Sequence, residues 1–209
     1  MQASALIIGQ RGRDVKEIAA CLPLWTVRIW CASIGYMEIS LTGSNSLKIR
    51  GKHAAVYVNP QDKTANYNAA ILLGNPAKSL LKIRDDVVII DGPGEYEAGG
   101  IKITGIWSDN QTVYTISIDN LEVLLGDREA LEKVYQKLKE HQIAIVYSGS
   151  PGGAAFATSL ATKALIFTGE HAREVVDSLA KEEKKELTKY VVTAEKLPVE
   201  TETILLASS

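Results

Sequence analysis

The stretch IDGPGEYEAGGIKITGI, residues 90–106, joins two signals that organise the rest of the chain. Asp91-Gly92-Pro93-Gly94 is turn chemistry, because glycine accepts backbone angles other residues avoid and proline fixes its own φ. After it, Ile101 to Ile106 sets apolar positions against Lys102 and Thr104, the two-residue period of a strand with one buried face. Before it, Val87 to Ile90 is an apolar run of strand length that ends at the turn.

Upstream the same punctuation repeats at short spacing. Met37-Glu38-Ile39-Ser40-Leu41 alternates and stops near Gly43. Leu47-Lys48-Ile49 alternates and stops at Gly51, and His53 to Asn59 runs up to Pro60. Ala69 to Leu73 is a further strand candidate, as are Val113 to Ile118 and Leu121 to Leu125 downstream. The last third changes rhythm. Leu131, Val134, Tyr135 and Leu138 follow helical spacing, Ile143 to Tyr147 and Ala164 to Phe167 read as buried strands, and Ala154 to Thr162 reads as a small-residue helix. Glu170 to Lys189 reads as a long helix with Val175, Val176 and Leu179 inward and a Lys/Glu outer face. Val191-Val192 and Ile204 to Leu206 close the chain as strands. Strands first and βαβ units afterwards imply sheets covered by helices.

A length of 209 residues fits one large domain with a short appendage. A net charge of −2 gives no general attraction to nucleic acid or anionic lipid. No apolar run approaches the ~20 residues of a membrane-spanning helix. The only cysteines, Cys21 and Cys31, leave the body without a disulfide framework or a thiolate zinc site. The front does not read as a signal peptide, so the expected location is cytoplasmic, with no membrane partner.

Several segments, in order, resemble the metallo-β-lactamase-fold group of metal-dependent hydrolases. Residues 90–97 resemble an I-D-G-P-G-E-Y-E segment of one bacterial branch. Thr42-Gly43-Ser44-Asn45-Ser46 sits where that branch has L-G-H-S, and Val56 to Pro60 where it has I-x-x-D-P. Leu124-Leu125-Gly126-Asp127 resembles an L-G-D motif, Tyr147 to Gly153 a P-V-G-G turn, and Lys196-Leu197-Pro198 with Glu200-Thr201 the tail. The resemblance spans about residues 37 to 206. It implies an αββα four-layer sandwich over 37–209, preceded by an N-terminal extension, 1–36.

It also implies a metal pair held by an H-x-H-x-D-H loop, two more histidines and a bridging aspartate, lowering the pKa of a bound water to ~7. The sequence departs from that set. After Leu73 it reads Gly74-Asn75-Pro76-Ala77-Lys78-Ser79, and near Trp107-Ser108-Asp109 there is no histidine. Asp127 stands at the bridging position, and Glu170 or His171 lies near the last ligand position. Asn75, Asp127, Glu170 and His171 are therefore the candidates for a vestigial site. Two such ligands cannot close a tetrahedral zinc site. The bland alternative for Asp127 is a helix N-cap, and for His53 and His141 a structural surface role. The turn Gly149 to Gly153 lacks the Lys-Ser/Thr of a phosphate-binding loop and reads as a tight turn.

At the front, Ile7 to Ile18 resembles the I-G-x-x-G-x-x-I-K-x-I signature of K-homology RNA-binding domains, with Gly9, Arg11, Gly12 and Arg13 as the loop residues. Only six residues precede Ile7, so this is half a module, a chance match or an extension ahead of Met37. The expected function is a degenerate metallo-β-lactamase-fold protein without hydrolase activity and without a cofactor, acting as a binding or scaffold module for an unidentified ligand. Two alternatives stand beside it: a hydrolase with a reduced metal site at Asp127 and His171, and RNA binding through the front loop, which the incomplete module disfavours.

Overall fold

The computed structural model describes residues 36–63, 65–74, 76, 81–179 and 183–207. The extension 1–36 falls outside the described residues except for Tyr36, and so do the loop Gly9 to Arg13, Trp25, Trp30 and Asn75. The described residues all belong to one compact unit, Ser33–Ser209.

Two mixed sheets face each other. The first combines β1 (Tyr36–Gly43), β2 (Ser46–Arg50), β3 (Ala55–Val58), β4 (Ala69–Ile71), β5 (Val88–Ile90) and the late strand β13 (Lys189–Thr193), in the order β13-β1-β2-β3-β4-β5. The second holds β6 (Gly94–Ala98), β7 (Ile101–Ser108), β8 (Gln111–Ile118), β9 (Leu121–Asp127), β10 (Ile143–Tyr147), β11 (Ala164–Thr168), β12 (Lys184–Leu187) and β14 (Glu202–Leu206), in the order β12-β14-β11-β10-β9-β8-β7-β6. Its half from β12 to β9 is parallel, and its half from β9 to β6 is antiparallel.

Alternation builds the core between them. Met37 and Ile39 of β1, Ile49 of β2, Ile103 of β7, Ile116 of β8 and Ile145 of β10 all point into it and are fully or almost fully buried. Each such side chain contributes about 1.5–3 kcal/mol before ordering costs. The other face of the eight-stranded sheet is also apolar. Leu124, Ala144, Val146, Leu165 and Phe167 pack there under α1 (Arg128–Val134) and α2 (Ala172–Ser178). Strands β10 and β11 are thus buried on both faces, as central parallel strands require. On the outer face of the six-stranded sheet, Tyr57 stacks on Tyr67 with ring centroids 4.6 Å apart, and Ile83 and Val87 complete the cover. Among the described residues that cover is loop, so the two sheets and one helical flank of the expected sandwich are present.

Three local expectations are corrected. Residues 154–162 form a short 3₁₀ turn, Ala155–Ser159, in place of a helix. The helix expected over 170–189 is only Ala172–Ser178, and Lys184-Lys185-Glu186-Leu187 is an edge strand beside β14. A Lys/Glu run suits a solvated helix face and a charged sheet edge equally well, because charge protects an edge from pairing with other chains. The stripe Leu131 to Leu138 is helical only to Val134 and continues as a 3₁₀ turn, with Tyr135 and Leu138 still against the same core.

Candidate functional site

The carboxyl ends of β9, β10 and β11 reach one rim of the sandwich. Parity along β9 sends Val123 and Leu125 inward, so Asp127 points inward at the rim. Register places Tyr147 beside Asp127 on one side and Thr168 on the other. Trp107 of β7 and Thr112 of β8 are cross-strand partners with the same inward parity at that end. The rim thus carries an inward-facing row of an exposed indole, a hydroxyl, a carboxylate, a phenol and a second hydroxyl. Trp107 is 56% exposed, whereas Thr112, Asp127 and Thr168 are buried.

Asp127 caps α1: its Oδ1 accepts the Glu129 N–H at 2.9 Å. Burial pushes its carboxyl pKa up, partly opposed by that hydrogen bond. Burial also raises the Tyr147 phenol, and the charges of Asp127 and Glu170 add to the effect. Asp127 and Glu170 therefore act on one group, while His171 turns elsewhere, its Nδ1 lying 3.1 Å from Glu174 Oε2. The His171 backbone N–H donates to Ser148 O at 3.0 Å, tying the start of α2 to the end of β10.

Beneath the Tyr147–Thr168 end of the row the packing is close. A cavity of about 10 Å³ remains there, walled by Leu41, Leu47, Val58, Leu73 and Leu125 as well as Tyr147 and Thr168. That is room for about one water. Asn59, with φ of 48°, locks the neighbouring strand ends together. Its Nδ2 donates to Leu73 O at 3.1 Å, and Leu73 N–H donates to its Oδ1 at 2.9 Å.

Among the described residues the donor set does not fit a metal pair. The chain has three histidines. His53 is exposed in the β2–β3 turn, and His141 precedes β10 at the opposite end of the sheet from His171. His141 corrects the surface expectation. It is 6% exposed, its Nε2 pairs with Thr115 Oγ1 at 3.0 Å, and burial pushes its pKa down, against a cationic role. Among the described residues no three His, Cys, Asp or Glu side chains come together to hold an ion.

Arg128 is the residue that periodicity did not single out. As the first residue of α1 it reads as surface, yet its side chain is 8% exposed. It donates to Gly153 O, Ser150 Oγ and Pro151 O at 3.0 to 3.2 Å and so fixes the loop after β10. A Cβ on Gly152 would stand 3.0 Å from its Cζ, which favours glycine at that one position.

The cap reading yields a test. Asp127→Asn keeps a good capping oxygen, whereas Asp127→Ala removes it and costs about 1 kcal/mol. A folded pKa raised above the unfolded value means stability present below the unfolded pKa and lost as pH rises through the folded pKa. Asp127→Asn removes that loss, so it is expected to be neutral or stabilising at pH 7 and to flatten the rise in stability on acidification below pH 7. Urea unfolding from pH 7 down to about pH 4, the ordinary aspartate value, checks both. An asparagine variant less stable than the alanine variant would overturn the cap reading.

No family model matches the chain, and no curated protein matches it in sequence. Solved structures do. One is a candidate zinc-dependent hydrolase of the metallo-β-lactamase superfamily from Thermotoga maritima, with TM-score 0.61 and 17% identity, covering 81% of this chain and 98% of that one. Another is a candidate metal-dependent hydrolase from Parabacteroides distasonis, with TM-score 0.50 and 13% identity, covering 69% of this chain and 89% of that one. At such identity the likeness establishes the fold: the described domain has the metallo-β-lactamase fold.

Proposed function

Taking that fold as the premise, we propose that the protein is a degenerate metallo-β-lactamase-fold module of the cytoplasm, which binds a partner or ligand and does not hydrolyse through a metal pair. The observation that carries this reading is the state of the rim. Its one bridging-type carboxylate, Asp127, is engaged in capping α1, and among the described residues no cluster of His, Cys, Asp or Glu side chains forms that could hold an ion. Metal-assisted hydrolysis needs a metal held by several donors with an open position for water and substrate, and a single capping carboxylate does not make such a donor set. Among the described residues no helix is long and apolar enough to cross a membrane.

Elemental analysis of protein produced with added zinc and manganese tests the reading. Far less than one metal per chain is expected, unchanged in Asp127→Ala. Stoichiometric metal that disappears in Asp127→Ala, accompanied by hydrolysis of a phosphodiester or ester probe, would replace this reading with a reduced-site hydrolase using Asp127 and His171.

A further inference from the structure

A concave site lies away from the rim, on the outer face of the six-stranded sheet. Parity along β2 sends Leu47 and Ile49 into the core and therefore Lys48 and Arg50 outward, side by side on one face. The β2–β3 turn adds His53. Tyr57 of β3 forms the floor, and the segment through Asn66 forms the facing wall of a pocket of about 490 Å³. In a chain with 25 acidic and 23 basic side chains, no carboxylate lines this pocket. Three acids stand near it: Asp62, whose charge acts on the Tyr57 phenol, Glu38 and Asp119. Glu38 lies 3.7 Å from Lys48 and opposite Arg50 in the ladder, and Asp119 accepts the Lys52 backbone N–H. Asn66 Oδ1 accepts from Arg84, which leaves the Asn66 amide N–H groups as donors.

We infer that this pocket binds the phosphate group of a small molecule, with Lys48 and Arg50 as its charged partners and Asn66 as a neutral donor. Glu38 offsets only part of the charge of these two cations, and a bound dianion accepts charge-assisted hydrogen bonds from both. Arginine suits the role because its planar fork meets two phosphate oxygens at once. The volume falls in the range of small-ligand sites. The cations line one wall of a single concavity, and the chain as a whole is net negative, so a small anion fits better than a nucleic-acid strand. The site is independent of the rim and of whether the rim binds metal.

Calorimetric titration of the full chain with inorganic phosphate and with pyrophosphate, at low ionic strength and pH 7, tests the inference. Saturable binding to one site is expected, tighter for pyrophosphate. Arg50→Ala and Asn66→Asp should each weaken it by about tenfold or more. Asn66→Asp keeps the oxygen that accepts from Arg84, so its fold should survive, as a melt would verify. Heats that do not saturate, or affinities unchanged in both variants, would overturn the inference. A short single-stranded RNA that binds more tightly than pyrophosphate, with steep loss in salt, would overturn it in favour of a nucleic-acid surface.

Discussion

Arg128→Ala is expected to cost about 3 kcal/mol, lowering Tm by roughly 6–12 °C for a domain of this size. The ion pairs do not set that figure. Glu129 and Glu132 have side chains 56% exposed, and such pairs are worth little in water. The buried guanidinium does, because truncation removes its packing together with its hydrogen bonds to the Pro151 and Gly153 carbonyls and the Ser150 hydroxyl. Arg128→Lys should recover only part of the loss, since one ammonium cannot span the positions that two guanidinium nitrogens reach. Chemical unfolding of the three proteins measures this. An alanine variant melting within about 2 °C of the parent would mean that the loop from Ser148 to Gly153 holds its shape without the arginine.

The second large effect is expected at Gly169, where β11 turns into α2. Its φ is +109°, and a Cβ there would stand 2.7 Å from Ser148 O and 2.9 Å from Ser148 C. Those are backbone atoms, and two hydrogen bonds hold them: Ser148 N–H donates to Thr168 O, and Ser148 O accepts from His171 N–H. The neighbour cannot give way as a flexible side-chain tip could. Gly169→Ala should therefore cost on the order of 3 kcal/mol or leave no soluble protein. Gly153→Ala is the matched control. No atom lies within 4 Å of the place its new methyl group would take, so a change within about 0.5 kcal/mol is expected. Equal stability of the two variants would show that the β10–β11 junction tolerates a shift of Ser148.

Most strands were legible because one or both faces are buried and the apolar pattern records it. β1, β2 and β7 alternate, whereas β10 and β11 are apolar throughout, and each reading survives. β6 was not legible. Gly94-Glu95-Tyr96-Glu97-Ala98 lacks a run of apolar positions, and the preceding turn masks it. It forms as an edge strand through its ladder with β7. β12 was hidden for the same reason: an edge strand shows its charges to water and resembles the outer face of a helix. The Asp127 cap was readable because capping is local, an aspartate accepting from an N–H two residues on.

The sequence by itself determined that the chain holds three histidines and that the stretches after Leu73 and around Trp107 contain none. Histidine number and position are properties of the covalent chain. Local periodicity also determined most of the strands and the cap at Asp127, because those depend on residues a few positions apart. Only the tertiary structure decided that Asp127, Tyr147 and Thr168 line up at one rim, that Arg128 is buried against a loop more than twenty residues on, and that Lys48 and Arg50 share a pocket with Asn66. Each of these is set by strand register and by the packing of segments distant in the chain. No window of sequence contains both partners of such a contact, so its energy leaves no local trace.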